Sequence, residues 1–356
     1  MKKQFNILQL FLLLIPFLGF SNDGFNYTKQ KTISKAYVVN SDAGLNIDNS
    51  YGNIFVATWN EDKIEIEVLI KVSGNDEKWV NQKLDGINVD FTALKSLVTA
   101  KTVFDNISSK NNGKNNNFEI NYTVKIPKNG SVKLNNKYGN IGTSDLFAAT
   151  DINCSYGKIN LGKLNGNSNT IQISYCSNST MEFIKSGAVT SKYSGLKMDE
   201  VNKLDLLSDY SEIEIEQGND LKYTSRYGSV KIKKVNTLDG NGNYLTIYVG
   251  SLFNQLKMSA RYSNISVDAI QSKAGNVSIE AAYTGVNVGF NPNYAFDFDV
   301  SLRYGDFKSD NEMTVNSREE TNTSKKIGGF YKKKGENKVT ISASYGNVKL
   351  NKKENQ

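Results

Sequence analysis

The side chains best able to do chemistry in this 356-residue chain are a short group of carboxylates with a guanidinium: Asp209, Glu212, Glu214 and Arg226. Clustered acids and bases of this kind can cleave a glycosidic bond, as acid and base or by elimination from an acidic sugar. No paired-carboxylate motif stands out from the surrounding repeat, so a solvated row of charges is the simpler reading. The chain has no histidine, which removes His-based proton transfer, Ser-His and Cys-His nucleophiles and the commonest zinc ligand. No catalytic, cofactor-binding or metal-binding residue is assigned. A second kind of chemistry is recognition: Lys137, Lys192, Arg226, Arg261 and Arg303 each stand directly before a tyrosine. Interrupted by Asp209, they form a candidate surface-binding row for anionic glycan or lipopolysaccharide.

The element that positions these residues is the tyrosine itself. It recurs at Tyr138, Tyr156, Tyr175, Tyr193, Tyr210, Tyr227, Tyr244 and Tyr262, 17 to 19 residues apart, with further copies at Tyr51, Tyr283, Tyr304 and Tyr345. A fixed period of this length is the mark of stacked repeats. With the tyrosine as position zero, position −4 is apolar or aromatic in every copy except Gly240, and −6 is mostly apolar. Position −5 between them is polar, with Asp205, Lys222, Asp239 and Lys257 alternating in sign. This is the period-two pattern of a half-buried strand. By the same parity the tyrosine points inward, as a structural corner residue.

After the tyrosine the alternation slips by one, because the next apolar position is +3 in all copies but the one with Asn178. An extra residue at a constant place is a corner, and glycine at +1 in six copies fits a turn needing positive φ. Three short sides in about 18 residues leave no room for a helix. The expected fold is therefore all-β: a right-handed parallel β-helix or solenoid with coils of about 17–19 residues and a less regular β-rich N-terminal part.

Along the chain, Lys2 and Lys3 precede an apolar run from Phe5 to Phe20, with Gly19 and Ser21 placed for cleavage. Residues 1–21 thus read as a secretory signal peptide, and no later stretch is apolar enough to span a membrane. Residues 22–131 read as irregular coils or a β-rich cap, with an amphipathic strand over Ile64 to Ile70, a short helix over Asn75 to Leu84, strands near Ile87 to Phe91, Leu97 to Phe104 and Phe118 to Ile126, and a loop over Ser108 to Asn117. Residues 132–350 carry the regular repeats, with a Lys-rich insertion near 308–338 that reads as a projecting loop or hairpin. Of two cysteines, Cys154 falls at inward position −2 and Cys176 at +1. A small buried core role is expected of Cys154, and a disulfide stays open for an oxidising compartment.

The Tyr-Gly-Asn-Ile units around Tyr51 and Tyr138, with the signal peptide, the irregular first third and a last copy at Tyr345, resemble the "putative adhesin" family of bacterial envelope proteins, related to auto-transporter adhesin head domains. The resemblance covers nearly the whole mature chain. It implies a right-handed β-helix and offers no functional residues to carry over.

These readings converge on an exported, non-enzymatic protein of the periplasm, outer surface or medium. It is expected to be adhesin-like or envelope-structural and to bind a surface, a polysaccharide or a cell-surface protein. The alternative is a polysaccharide lyase or hydrolase working through carboxylates. The formal charge of +7, part of it in the leader, is too mild and too spread to indicate a nucleic-acid partner.

Overall fold

The computed structural model describes residues 24–105 and 116–353. The signal peptide expected over 1–21 and most of the loop expected over 108–117 lie outside them. All 23 strands of the described residues belong to one sheet.

The repeats stack in parallel register. Thr150–Ser155 pairs with Val132–Lys137 on one side and Asn169–Ser174 on the other, so Ile152 lies between Leu134 and Ile171. Each tyrosine-centred unit thus contributes one turn of a wall, and the −4 row is buried throughout. Asn178, the exception at +3, is an extra residue with φ 53°. Ser179 takes the inward place and pairs with Leu196 of the next turn.

The open right-handed parallel β-helix or solenoid expected from the repeat is corrected by the closure of this wall. The main sheet curls through 315° into a nearly closed, barrel-shaped arrangement around one core. The physical reason lies at the corners. Gly195–Arg261 runs as a single strand through Tyr210, Tyr227 and Tyr244, so at these three corners the bend redirects the chain without interrupting the strand, while at the other nine one strand ends and the next begins within a few residues. Sides expected to be separate are one continuous curved surface.

Antiparallel layers finish both ends. Tyr27–Val38 lies on Lys63–Gly74, which lies on Asn116–Pro127, while Ile87–Ala93 lies on Leu97–Phe104. The helix expected over 75–84 forms at Glu77–Asp85, where the Asp76 carboxylate accepts from the amides of Lys78 and Trp79 and Gly86 ends it. At the other end, Thr314–Glu320 and Ser324–Tyr331 form a hairpin from the Lys-rich insertion, and it packs on Phe296–Arg303.

Candidate functional site: the tyrosine column and its flanking row

The inward tyrosine expected from parity is overturned. All twelve corner tyrosines are 40–51% exposed, and all have φ between 49° and 63°. A left-handed residue reverses the alternation at its own position, so counting by twos past it fails. The positive φ expected at the +1 glycine belongs to the tyrosine, and among the six +1 glycines only Gly228, φ 139°, shares it. Glycine is needed there because backbones touch: a Cβ on Gly139 would come 1.7 Å from the Gly52 carbonyl oxygen, and one on Gly157 2.0 Å from that of Gly139.

In four of the six copies without glycine at +1 a hydroxyl takes over, the other two carrying Cys176 and Leu245. Ser194 Oγ accepts from the Cys176 amide and donates to the Lys192 carbonyl. Ser211 repeats this with the Ser194 amide and the Asp209 carbonyl, as does Thr284 with Ser263 and Ala282. Beneath, the −2 row is a buried polar column at its N-terminal end. Thr102 donates to Asn49, whose amide donates to Asn136 Oδ1, whose own amide donates to the carbonyls of Gly52 and Asn140. Further along, Ser208 and Ser225 share a 2.6 Å bond.

The rings form one unbroken stack from Tyr51 through Tyr283 to Tyr345 and Tyr304, with centroids 4.6–5.1 Å apart and planes within 22°. An L-residue in the left-handed region costs roughly 1–2 kcal/mol, and each ring pair returns about 0.5–1.5 kcal/mol beyond its buried area. An interior tyrosine has two such partners, so the strained corner is stable only within a column. At the N-terminal end, Tyr51 meets Phe118 at 5.0 Å and Phe104 at 6.1 Å. Lys83 of the helix closes the end, its ammonium 4.2 Å from the Phe118 ring, and burial lowers its pKa. Because every interior ring face is covered by the next ring, the column cannot stack on sugar faces. It presents ring edges and a line of phenol hydroxyls.

Beside the column runs the −1 row, where Lys137, Lys192, Arg226, Arg261 and Arg303 are all exposed. The structure brings them to one line, but not to one block. Ser155 and Ser174 separate Lys137 from Lys192, and Ala282 and Ser344 separate Arg261 from Arg303. Asp209 follows Lys192 and accepts two hydrogen bonds from Arg226, at 2.8 and 3.0 Å. Lys137 and Arg303 lie over the rings of Tyr138 and Tyr304. Lys192 and Arg261 make no ion pair among the described residues.

The acid–base candidates are occupied in another way. Asp209 is held by Arg226, and Glu214 is within 3.5 Å of both Lys231 and Lys233. Glu216, which sequence reasoning passed over, bridges Lys233 at 2.8 Å and Lys197 at 3.1 Å, and these lysines hold its carboxyl below the usual range. Glu212 and Glu214 line a shallow depression of about 350 Å³ with Lys197 and Lys231. A general acid needs a carboxyl kept protonated near neutral pH; at Glu216 the two lysines do the opposite. Among the described residues, no group of three or more His, Cys, Asp and Glu side chains is placed to hold a metal ion, and no helix is long and apolar enough to cross a membrane.

The family model described as Toastrack DUF4097 matches residues 43–351. No curated protein matches the chain. Among solved structures, it is similar to a "putative adhesin" of Parabacteroides merdae at 10% identity, over 90% of this chain and 96% of that one, with a TM-score of 0.35. A "putative adhesin" of Parabacteroides distasonis matches at 9% identity, over 91% and 97% of the two chains, with a TM-score of 0.32. A "putative lipid binding protein" of the same organism matches at 8% identity, over 91% and 97%, also at 0.32. Likeness at these TM-scores assigns neither shape nor ligand to this chain.

Proposed function

The chain belongs to the Toastrack DUF4097 family, and we propose that it is an exported, non-enzymatic binding protein that engages a repetitive surface partner, with an anionic polysaccharide the best fit, in the manner of an adhesin. The observation that carries this reading is the exposed column of twelve phenol edges with a cation-bearing row beside it. Both rows advance by the strand spacing, about 4.8 Å per turn. A polymer lying along them meets a hydroxyl at every turn and a cation at intervals, which suits many weak contacts added along one chain. Lys192 and Arg261 are the cations free to take an anion, and Lys137, Arg226 and Arg303 complete the row.

The test is binding of the purified mature chain to a panel of polysaccharides, with release of reducing or unsaturated ends followed in parallel. Binding without cleavage is expected, weakened by salt and by Lys192→Glu with Arg261→Glu, substitutions that leave the Arg226–Asp209 pair intact. Binding that ignores both charge reversals would move the contact off this face, and released ends would make the protein an enzyme.

A further inference from the structure

Two thiols meet under the tyrosine column. Cys154 stands two residues before Tyr156 and Cys176 one residue after Tyr175; both are free and fully buried. In register, Cys154 faces Ile173 of the next turn. The left-handed bend at Tyr175, φ 55°, then swings the following side chain back under the strand it has just left. Cys176 Sγ comes 3.4 Å from the Cys154 carbonyl oxygen, so the two cysteines of adjacent turns lie against each other. Their different offsets from the tyrosine, which in a flat count keep them apart, are what bring them together at a corner.

We propose that Cys154 and Cys176 are an oxidative cross-linking site, closing to a disulfide that staples two adjacent turns of the wall when the chain folds in the presence of a small-molecule disulfide. The Cys176 thiolate attacks one sulfur of the oxidant, forming a mixed disulfide and expelling one oxidant thiolate. Cys154 then gives up its proton, and its sulfur attacks Cys176 Sγ and releases the second oxidant thiol. Two protein thiols lose two electrons and two protons, and one oxidant disulfide becomes two thiols. Because Cys176 Sγ already lies against the Cys154 backbone, closure asks for little backbone movement. Burial puts the exchange before the turns are fully packed and then shields the bond from reductant. This inference is independent of what the outer face binds.

The full mature chain, denatured and reduced, is refolded in a buffer of oxidised and reduced glutathione, then denatured, alkylated and digested with trypsin. The expected result is no alkylated cysteine, a linked pair of peptides covering 138–158 and 164–185, and a Tm that drops when a strong reductant is added. The Cys154→Ser, Cys176→Ser double variant should show no such dependence on reductant; should it fail to fold, the linked peptides of the unaltered chain still decide. Two alkylated cysteines after oxidative refolding, disulfide-linked dimers, or an oxidised form that melts below the reduced one would each overturn the proposal.

Discussion

Tyr283 lies flat on Tyr345, their ring centroids 4.7 Å apart and their planes 2° from parallel, although another tyrosine turn and a hairpin separate them in the chain. Tyr345 stacks in turn on Tyr304 at 4.9 Å. The last copy of the repeat is therefore not the last turn of the wall. Its strand Lys338–Ser344 is threaded between Val277–Ala282 and Phe296–Arg303, in parallel register with both.

Truncation before residue 338 should consequently unzip the C-terminal end instead of trimming it. The strand Phe296–Arg303 would lose its parallel partner, and buried Val300 its neighbour Ile341. We expect loss of the cooperative thermal transition and of soluble yield. A truncated chain that melts as sharply as the full one, at the same temperature, would show that the inserted strand holds nothing together.

At an interior corner, glycine should be less harmful than alanine. Tyr210 stacks on Tyr193 at 4.9 Å and on Tyr227 at 4.6 Å, with φ 49°. Tyr210→Ala loses both ring contacts, about 1–3 kcal/mol together, and keeps the left-handed strain. Tyr210→Gly loses the same contacts but recovers roughly 1 kcal/mol of strain. Urea unfolding of the two variants checks the order, which is the reverse of that expected inside an ordinary strand.

Tyr223 and Gly240 form a large-small pair in the otherwise aliphatic −4 row. A Cβ on Gly240 would come 2.6 Å from the Tyr223 ring and 2.8 Å from its hydroxyl. That hydroxyl is buried with no hydrogen-bond partner among the described residues. Tyr223→Phe should thus stabilise by about 1 kcal/mol or more, and Gly240→Ala should cost roughly 1–3 kcal/mol. Combining Gly240→Ala with Tyr223→Leu should cost less than the sum of the two changes. Strict additivity in denaturant titrations would mean the two positions do not share a space.

Alkaline stability should depend on Tyr122. Burial raises its phenol pKa to about 12, outweighing the opposing hydrogen bond with Thr102; the unfolded value is about 10. The raised value favours the neutral phenol in the folded state, so this contribution is complete below about pH 10 and is lost as pH rises through about 12. Following phenolate absorbance and circular dichroism together should show ionisation of Tyr122 coinciding with unfolding. In Tyr122→Phe, the high-pH limit of stability should move upward.

Much of the fold could be read from the residues because a repeat reports its own register. The buried −4 row, the polar −5 row and the slip before +3 name a strand face, its solvent side and a bend, and each depends on side-chain type at a short, local spacing. The helix near Trp79 was legible for the same reason, since Asp76 and Gly86 are local signals. The candidate row of Lys137, Lys192, Arg226, Arg261 and Arg303 was also visible as a column of cations. The place of Ser344 between Ala282 and Arg303 was not, because the strand that supplies Ser344 is inserted out of order.

What the sequence determined by itself is the unit: its length, its strands, its corner residue and which rows face in and out before that corner. Tertiary structure alone decided what the units make. Closure of the sheet depends on how the chain turns at each corner, where all twelve tyrosines are left-handed although the strand runs unbroken through only three of them, and no side-chain pattern reveals that geometry. The tyrosine's outward direction and the contact of Cys154 with Cys176 follow from the left-handed corner, and the insertion of Tyr345 between Tyr283 and Tyr304 follows from strand order. The last two join residues of different turns, and their meeting is fixed by backbone geometry beyond the reach of a local side-chain pattern.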